Sequence, residues 1–245
     1  MTTAQNAHSF PRRQRKFGVM DLTGTTVVFD LDGTLVDTAP DLAAATNHAL
    51  AQAGLEPIPF AQLYPFIGHG SKAMIDAGLR FHGKTASEGD LARLHDQFFA
   101  FYADNVAVAS QPYDGVPELL DELLGAGASL AVCTNKFEGL SRLLLGALGL
   151  DRRFGAVAGR DTFDVFKPAP GHLLRTIELV GGNRERAVMV GDSEVDIATA
   201  AAAVVPCIAV SFGYTTVPVR QLKPSAVIDH YREFMGALKQ VLARS

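Results

Sequence analysis

The sequence predicts an α/β protein with a doubly wound, parallel, Rossmann-like sheet and an inserted α-helical cap domain. Three observations support this fold class. Short apolar runs alternate with helical patterns beyond residue 110, a purely helical stretch follows the first such run, and polar residues follow several of the runs. Alternation of strands and helices is typical of parallel sheets. A length of 245 residues suits one domain with a modest insertion.

The predicted strands are short apolar runs rich in β-branched residues. The first of them, Thr25–Phe29, is continuous enough to be buried on both faces of a sheet. Later runs of the same kind alternate with helical patterns, which places each helix between two parallel strands. These later strands are predicted at 130–133, 155–158, 187–190, 207–210 and 226–228, and the helices at 138–148, 170–180, 194–203 and 231–242.

The stretch at 37–109 is predicted to be a separate helical unit. Two helices are predicted at 40–53 and 71–81, and a third has apolar residues at spacings of three and four. An aromatic stripe of this kind is typical of the core of a small helical bundle, and its members are Leu91, Leu94, His95, Phe98, Phe101, Tyr102 and Val106. The predicted domains are therefore a catalytic core of 24–36 plus 110–245 and a helical cap of 37–109.

Composition and the N-terminal segment limit the class of protein. Residues 1–23 are predicted to be a disordered extension, because Thr2–Phe17 has no apolar period. No apolar run follows the basic residues at 12–16, so they are not a secretory signal, and Met20 is an alternative start. A net charge of −4 with both signs interspersed gives no reason to expect nucleic acid or a membrane as partner. The two cysteines lie in apolar runs, and we expect a cytoplasmic monomer or homodimer.

The most informative segment is Phe29–Leu35, where an apolar strand ends in two carboxylates and a glycine turn. Alternation along a strand puts Asp30 and Asp32 on one side of the chain, at the strand end where open α/β sheets bind ligands. Two close carboxylates repel each other unless a cation separates them or one is protonated. Mg²⁺ suits such a pair because it is a hard ion that prefers oxygen ligands. The ordinary alternative is a simple Asp-Gly turn.

Three further polar groups follow later strands. Thr134-Asn135-Lys136 follows the strand at 130–133, Lys167-Pro168 follows the loop after 155–158, and Gly191-Asp192-Ser193 with Asp196 follows the strand at 187–190. Each has an ordinary interpretation by itself: Thr134 as a cap, Lys167 as a solvated side chain, and Asp192 as a helix N-cap with Asp196 in its first turn. In a parallel sheet all of them meet at one edge, which favours a catalytic site.

Together these segments resemble the four motifs of the haloacid dehalogenase superfamily. Asp30-x-Asp32-Gly33-Thr34 matches motif one, Thr134 motif two, Lys167 motif three, and Gly191-Asp192-Ser193-x-x-Asp196 motif four. The resemblance covers 25–241, and the stretch at 37–109 is similar to the α-helical cap of the superfamily. Within the superfamily the chain resembles the phosphoglycolate phosphatases, through 29–38, 133–136, 166–168, 190–198 and 212–214.

The resemblance implies a Mg²⁺-dependent phosphatase that forms an aspartyl-phosphate intermediate and takes 2-phosphoglycolate as substrate. It implies that Asp30 is the nucleophile and that Asp32 is the general acid and base. Thr134 and Lys167 are implied to hydrogen-bond the phosphate oxygens and so to take part in catalysis. The residues expected to bind phosphate in the core are Gly33, Thr134, Asn135 and Lys167.

The resemblance also implies a set of metal ligands. Mg²⁺ is expected to be held by a carboxylate oxygen of Asp30, the backbone carbonyl of Asp32 and the carboxylate of Asp192. Asp196 is expected not to bind the ion directly but to contact its ligands and orient them. In this arrangement the ion screens the anionic nucleophile from the anionic phosphate.

A glycine-flanked segment in the cap, Phe66–Lys72, opens a predicted helix, so its backbone can contact an anion. It is similar to the substrate-specificity loop of this class of cap. The expected substrate contacts in it are Gly68, His69 and Gly70. Lys72 and Arg160 are candidates to meet a substrate carboxylate. The ordinary alternative is an inter-helix turn with these basic side chains solvated.

Four other functions stay open at this point. Another small-metabolite phosphatase or a sugar-phosphate mutase of the same superfamily would use the same aspartates, because the cap decides between transfer to water and transfer to sugar. A dehalogenase of this fold would need neither Asp32 nor the metal. A receiver-like regulatory module also surrounds a phospho-accepting aspartate with acids, a threonine and a lysine, but it does not account for the helical stretch or for Asp32-Gly33-Thr34.

Overall fold

The structure is a computed structural model that describes residues 20–244. Within these residues a six-stranded parallel sheet has the order β5-β4-β1-β6-β7-β8, so β1 lies between β4 and β6. A separate antiparallel pair joins β2 to β3. In chain order the strands are β1 (Thr26–Phe29), β2 (Val36–Asp37), β3 (Gln111–Pro112), β4 (Ser129–Cys133), β5 (Ala156–Ala158), β6 (Ala187–Gly191), β7 (Cys207–Val210) and β8 (Ala226–Ile228).

Helices connect these strands and confirm the predicted fold class. The strands predicted for the sheet and the helices predicted between them are present, with ends shifted by one or two residues, and the helix predicted at 231–242 starts with a 3-10 turn at Tyr231–Glu233. The helices are α1 (Ala39–Gln52), α2 (Phe60–Leu63), α3 (Ser71–Phe81), α4 (Glu88–Asp104), α5 (Val116–Gly125), α6 (Glu138–Ala147), α7 (Pro170–Leu179), α8 (Glu194–Ala203) and α9 (Phe234–Leu242).

Helix α5 is the longest described element for which the sequence analysis made no prediction; α2, β2 and β3 were not predicted either. It follows Gly115, whose φ of +83° is the left-handed conformation that glycine adopts readily, and Pro117 lies in its first turn. Its buried side chains recur at helical spacing and pack on the sheet; they are Val116, Leu119, Leu120 and Leu123. The apolar period of this segment was therefore a usable signal.

The helices cover both faces of the sheet, as the doubly wound prediction requires. Along β1, Val27 and Phe29 point to the face that carries α5, α6 and α9, whereas Val28 points to the face that carries α7 and α8. Phe29 stacks on Phe234 of α9 with ring centroids 6.0 Å apart. The central strand is thus buried on both faces, and polar residues are left for the strand ends.

Helices α1–α4 lie between β2 and β3; we call residues 39–104 the helical insertion. Helix α1 packs against both α3 and α4. The buried carboxylate of Asp41 accepts the N–H groups of Ala109 (3.0 Å) and Ser110 (2.8 Å) and the Ser110 hydroxyl (2.6 Å). The connection that leads from the insertion back to the sheet is therefore held by the first turn of α1. The domain boundaries at 37 and 109 stay a prediction.

The N-terminal prediction is tested only at its end, because residues 1–19 lie outside the described residues. The Leu22 side chain is fully buried, and its N–H donates to Ala126 O at 2.8 Å. Burial of an apolar side chain accounts for this docking. The predicted extension to residue 23 was therefore too long, since the packed chain includes Leu22. No helix within 20–244 is long and apolar enough to cross a membrane.

Candidate active site

The ends of adjacent parallel strands bring most of the predicted catalytic residues together. Asp30 follows β1, Thr134 follows β4 and Asp192 follows β6. The pairing places Phe29 opposite both Val132 and Val190, so these three strands end at the same level. The N–H of Asp30 continues the ladder by donating to Val190 O at 2.8 Å. The edge predicted from the order of strands and helices is therefore the place where these residues meet.

A buried acidic cluster lies at this edge. Carboxylate oxygens of Asp30, Asp192 and Asp196 lie within 4.8 Å of one another. The Nζ of Lys167, whose side chain is 2% exposed, lies 2.6 Å from Asp196 Oδ1 and 2.9 Å from Asp30 Oδ1. The approach to Asp30 is not aligned as a hydrogen bond, so this buried oxygen has no hydrogen-bond partner among residues 20–244. Three carboxylates thus face one ammonium group.

Burial, and after it the charges of the neighbouring groups, shifts the pKa values of these acids. Burial raises the pKa of Asp30 to about 6, against the opposing effect of the Lys167 charge. Burial, with the nearby charges of Asp196 and Asp30, raises the pKa of Asp192 to about 8. A divalent cation among these oxygens would remove the repulsion between them. The donor set consists of oxygen atoms only, which fits Mg²⁺.

Two glycines allow the loops of the site to approach Asp192. Gly33 has a φ of +79°, and a Cβ on it would lie 2.6 Å from Asp192 Oδ2. A Cβ on Gly213 would lie 2.2 Å from Asp192 Cβ. The carboxylate itself accepts the Thr34 hydroxyl (3.1 Å) and the N–H of Tyr214 (2.7 Å). The structure therefore places Gly33, predicted to bind phosphate, in close contact with the acidic cluster.

Ser193 is the N-cap of α8, which corrects the alternative that gave this position to Asp192. Its side chain accepts the Asp196 N–H, while Asp196 Oδ2 accepts the N–H (3.1 Å) and the hydroxyl (2.6 Å) of Ser193. This reciprocal capping box satisfies two backbone donors at the helix start. Because Lys167 binds the other oxygen of Asp196, both oxygens of that carboxylate already have protein partners.

Asp32 has a different set of partners from the cluster. Both of its carboxylate oxygens accept from Lys136 Nζ, at 3.0 and 3.2 Å, and Oδ1 also accepts the Thr38 hydroxyl at 2.7 Å. The same ammonium donates to the hydroxyl of Tyr102 in α4 at 2.8 Å. The sequence analysis assigned no role to Lys136 and only a core position to Tyr102. One signal was available, because Lys136 follows the same predicted strand as Thr134, only two residues further along the chain.

Thr134 and Asn135 both line the space in front of the acids, but they differ in what their side chains can do. Thr134 Oγ1 accepts the N–H of Lys136 (3.2 Å), which leaves its own proton to donate. Asn135 Nδ2 donates to the backbone oxygen of Lys167 (2.9 Å). The amide of Asn135, predicted to bind phosphate, therefore holds the loop that carries Lys167.

A cavity of about 650 Å³ lies between these residues and the helical insertion. The predicted cap contacts line it: Gly68 and His69 end a 3-10 helix, Tyr64–His69, and Gly70 precedes α3. This segment was predicted as a loop. The aromatic stripe of α4 was predicted as core; Leu94, Phe98 and Tyr102 are buried as expected, while His95, Phe98 and Tyr102 also line the cavity.

The charged residues that line the rest of the cavity are basic. Lys72 of α3 and Arg160, which follows β5, reach it from exposed positions, and neither forms an ion pair within the described part of the chain. The Arg160 guanidinium carbon lies 4.8 Å from the ring centre of Phe166. His95 Nε2 lies 2.9 Å from Ser71 Oγ, and burial together with the charges of Lys72 and Arg160 lowers the pKa of His95. These basic groups suit a ligand with a second anionic group.

Comparison with known proteins identifies molecules similar to this chain. The sequence profile of the haloacid dehalogenase-like hydrolases matches residues 27–210. A phosphoglycolate phosphatase of Mesorhizobium japonicum is 47% identical over 219 residues, 89% of this chain and 96% of the relative. One of Agrobacterium fabrum is 45% identical over 215 residues, 88% of this chain and 92% of the relative. The crystal structure of a predicted phosphoglycolate phosphatase from Haemophilus somnus has a TM-score of 0.81 at 29% identity, covering 89% of this chain and 98% of that one.

Proposed function

Because the chain belongs to the haloacid dehalogenase-like hydrolase family, we propose that it hydrolyses 2-phosphoglycolate to glycolate and phosphate, through an aspartyl phosphate on Asp30. The observation that carries the proposal is the Asp30 carboxylate. Its buried Oδ1 has no hydrogen-bond partner among the described residues and lies 2.9 Å from Lys167 Nζ. An anionic nucleophile beside a fixed ammonium group, next to a cavity, suits attack on a phosphate ester.

In the first step Asp30 attacks phosphorus, and the bond between phosphorus and the ester oxygen breaks. The leaving alkoxide takes a proton from Asp32, so that glycolate leaves as the alcohol. In the second step Asp32 takes a proton from water, whose oxygen attacks phosphorus. The bond between phosphorus and Asp30 then breaks, which releases phosphate and restores the free carboxylate of Asp30. One difficult displacement is thereby divided into two easier ones.

Two core residues hold the phosphate oxygens in this scheme. Thr134 Oγ1 has a proton to donate, because it accepts the N–H of Lys136. Lys167 brings a buried positive charge next to the nucleophile, at a position fixed by Asp196. Fixed donors of this kind stabilise the charge that develops on phosphate oxygens during transfer.

The acidic cluster fits Mg²⁺, as its surplus of buried negative charge indicates. The groups that would hold the ion are the carboxylates of Asp30 and Asp192 and the backbone carbonyl of Asp32. Asp196 would stay outside the ligand set, because Lys167 and Ser193 occupy both of its oxygens. When bound, Mg²⁺ neutralises negative charge on the nucleophile and on the phosphate.

The basic part of the cavity supports a substrate with a carboxylate. Lys72 and Arg160 form no ion pair with any described residue, so their charges are available to a ligand. 2-Phosphoglycolate places a carboxylate one carbon away from its phosphate ester oxygen, and the relatives at 44–47% identity are phosphoglycolate phosphatases. A cavity closed by a helical insertion also favours small substrates.

The test is release of phosphate, with Mg²⁺ present, from 2-phosphoglycolate and from 2-hydroxyethyl phosphate, in which a hydroxymethyl group replaces the carboxylate. We expect kcat/KM to favour 2-phosphoglycolate by about tenfold or more, which corresponds to about 1.4 kcal/mol of transition-state binding. Equal values of kcat/KM for the two esters would contradict the assignment of 2-phosphoglycolate as substrate but not the phosphatase activity. No release from either ester would contradict the proposed reaction itself.

A further inference from the structure

The ammonium group of Lys136 joins the core to the helical insertion. Its Nζ lies 3.0 Å from Asp32 Oδ1, 3.2 Å from Asp32 Oδ2 and 2.8 Å from the Tyr102 hydroxyl, and its side chain is only 7% exposed. These contacts use the donors of the ammonium group. A buried lysine with its donors engaged in this way has a fixed position.

Lys136 is distinct in its contacts from the lysine beside the nucleophile. Lys167 pairs with Asp30 and Asp196, whereas Lys136 pairs with Asp32. The two lysines thus form ion pairs with different acids of the site. Lys136 contacts the residue proposed to move protons, and Lys167 contacts the residue proposed to attack phosphorus.

The other partner of Lys136 is held by the packing of the insertion. Tyr102 is buried in α4, and its ring stacks on Phe98 with centroids 5.9 Å apart. The second donor to Asp32, the Thr38 hydroxyl, lies at the N-terminus of α1. Helices α1 and α4 pack against each other. Both contacts of the Asp32 carboxylate therefore lead into the helical insertion.

We propose that Lys136 is a positioning residue for Asp32, and that its hydrogen bond to Tyr102 makes the placement of that carboxylate depend on how the helical insertion sits on the core. This inference rests on the proton-transfer role that the proposed function gives to Asp32. A general acid has to lie within hydrogen-bond reach of the leaving oxygen, and a displaced one loses most of its effect.

The experiment exploits the proton demand of the leaving group. Glycolate leaves as a strongly basic alkoxide and needs the proton of Asp32, whereas p-nitrophenolate is a stable anion and does not. The values of kcat/KM for 2-phosphoglycolate and p-nitrophenyl phosphate, which report the step that expels the leaving group, are compared in Lys136→Met, Lys136→Arg, Tyr102→Phe and Asp32→Asn. Tyr64→Phe is the matched control, since this exposed tyrosine of the insertion does not line the cavity.

We expect Lys136→Met to lower kcat/KM for 2-phosphoglycolate on the order of 100-fold, the range of general acid catalysis, and that for p-nitrophenyl phosphate only about threefold. Tyr102→Phe removes one oxygen atom and should act in the same direction, by about tenfold, while Lys136→Arg should retain part of the activity. Combined with Asp32→Asn, the Lys136→Met change should add less than about twofold, because residues that act as a unit are not additive.

Equal losses for the two esters, or a full additional loss in the Asp32→Asn background, would overturn the inference, because Lys136 would then act on the phosphate directly. If a thermal melt shows that Lys136→Met is not folded, the same comparison of kcat/KM for the two esters is made with Tyr102→Phe. Asp32→Asn with an unchanged leaving-group dependence would refute the proposed role of Asp32 and the inference with it. Asp32→Asn could instead lose more kcat/KM for 2-phosphoglycolate than for p-nitrophenyl phosphate while neither Lys136→Met nor Tyr102→Phe does so. That result would refute the inference and leave the proposed role of Asp32 intact.

Discussion

Tyr214 connects the acidic cluster to the first helix of the insertion, through Asp192 at one end and Thr38 at the other. Its N–H donates to Asp192 Oδ2 (2.7 Å), while its hydroxyl accepts the N–H groups of Thr38 (2.6 Å) and Ala39 (2.9 Å) and donates to Asp37 (2.7 Å). Thr38 is the N-cap of α1, but its hydroxyl donates to Asp32 Oδ1 and makes no capping hydrogen bond to the helix. The hydroxyl of Tyr214 therefore accepts the first two backbone N–H groups at the start of α1.

Removing this hydroxyl should loosen the start of α1. Tyr214 is buried, and Tyr214→Phe leaves the Thr38 N–H without its acceptor and the Ala39 N–H with only its 3.3 Å contact to Asp37 Oδ1. We therefore expect the free energy of unfolding to fall by about 1–3 kcal/mol. Urea unfolding measures the change. Tyr64→Phe, at an exposed tyrosine, is the control and should change stability by less than about 0.5 kcal/mol. Equal stability of Tyr214→Phe and the native chain would show that the contact contributes nothing net.

The two aspartates of the first motif should not be interchangeable. Asp30→Asn removes the nucleophile and should abolish phosphate release. Asp32→Asn keeps the backbone carbonyl proposed to bind Mg²⁺, so substrate and metal binding should persist while turnover falls by about 10²–10⁴-fold. Phosphate release and calorimetric binding of Mg²⁺ to both variants measure these effects. Native activity in Asp30→Asn would refute the proposed mechanism.

Metal removal should separate stability from activity at Asp192. We expect a chelator to abolish phosphate release, and Mg²⁺ to raise the melting temperature of the native chain, since a ligand that binds only the folded state stabilises it. Asp192→Asn should lose this Mg²⁺-dependent shift. Its melting temperature without metal should not fall, because burial and the nearby acids raise the pKa of Asp192 to about 8, so this side chain is largely neutral without the ion, as Asn is. A retained shift in Asp192→Asn would argue against its place in the ligand set.

His172 should make the fold sensitive to acid. Its Nδ1 accepts the N–H of Lys167 (3.2 Å) and its Nε2 lies 3.1 Å from Gly159 O, so the neutral ring joins the two ends of the loop between β5 and α7. Burial, and then the Lys167 charge, lowers the pKa of His172 to about 4. Since the unfolded chain takes up this proton near pH 6.5, the contribution is complete above that pH and is lost as the pH falls toward 4.

The comparison that isolates this effect is His172→Asn, whose side-chain oxygen can accept the Lys167 N–H in place of Nδ1 but which does not titrate. The free energy of unfolding should decline between pH 6.5 and 4.5 by about 1–2 kcal/mol less in the variant than in the native chain. Urea titrations at several pH values give the two slopes. Parallel slopes would mean that other groups produce the acid sensitivity.

Arg160 and Lys72 should govern selectivity for the carboxylate. Arg160→Met or Lys72→Met should raise KM for 2-phosphoglycolate several-fold and change KM for 2-hydroxyethyl phosphate little, because the second ester has no carboxylate to pair with these side chains. Arg152→Met is the control, at an exposed arginine away from the cavity. If both esters lose equally, these residues serve closure of the insertion and not recognition of the carboxylate.

The sequence by itself determined the fold class, the acids of the site and the family. Alternating strands and helices require a parallel sheet, and the carboxyl ends of its strands lie together, so Asp30, Thr134 and Asp192 could be brought to one edge from local pattern alone. Their spacing within motifs led to the haloacid dehalogenase-like hydrolases, whose profile matches 27–210 and excludes a receiver module.

Only the tertiary structure decided which side chains complete that site. Lys136 meets Tyr102 across two separate segments, and Tyr214 meets the start of α1 from a loop beyond β7. The spacing of apolar residues and the secondary-structure propensities indicate which face of a helix or strand is buried. They do not indicate which neighbouring element that face contacts. Long side chains from distant segments find each other through packing, and a hydrogen bond needs its atoms placed within a few tenths of an ångström.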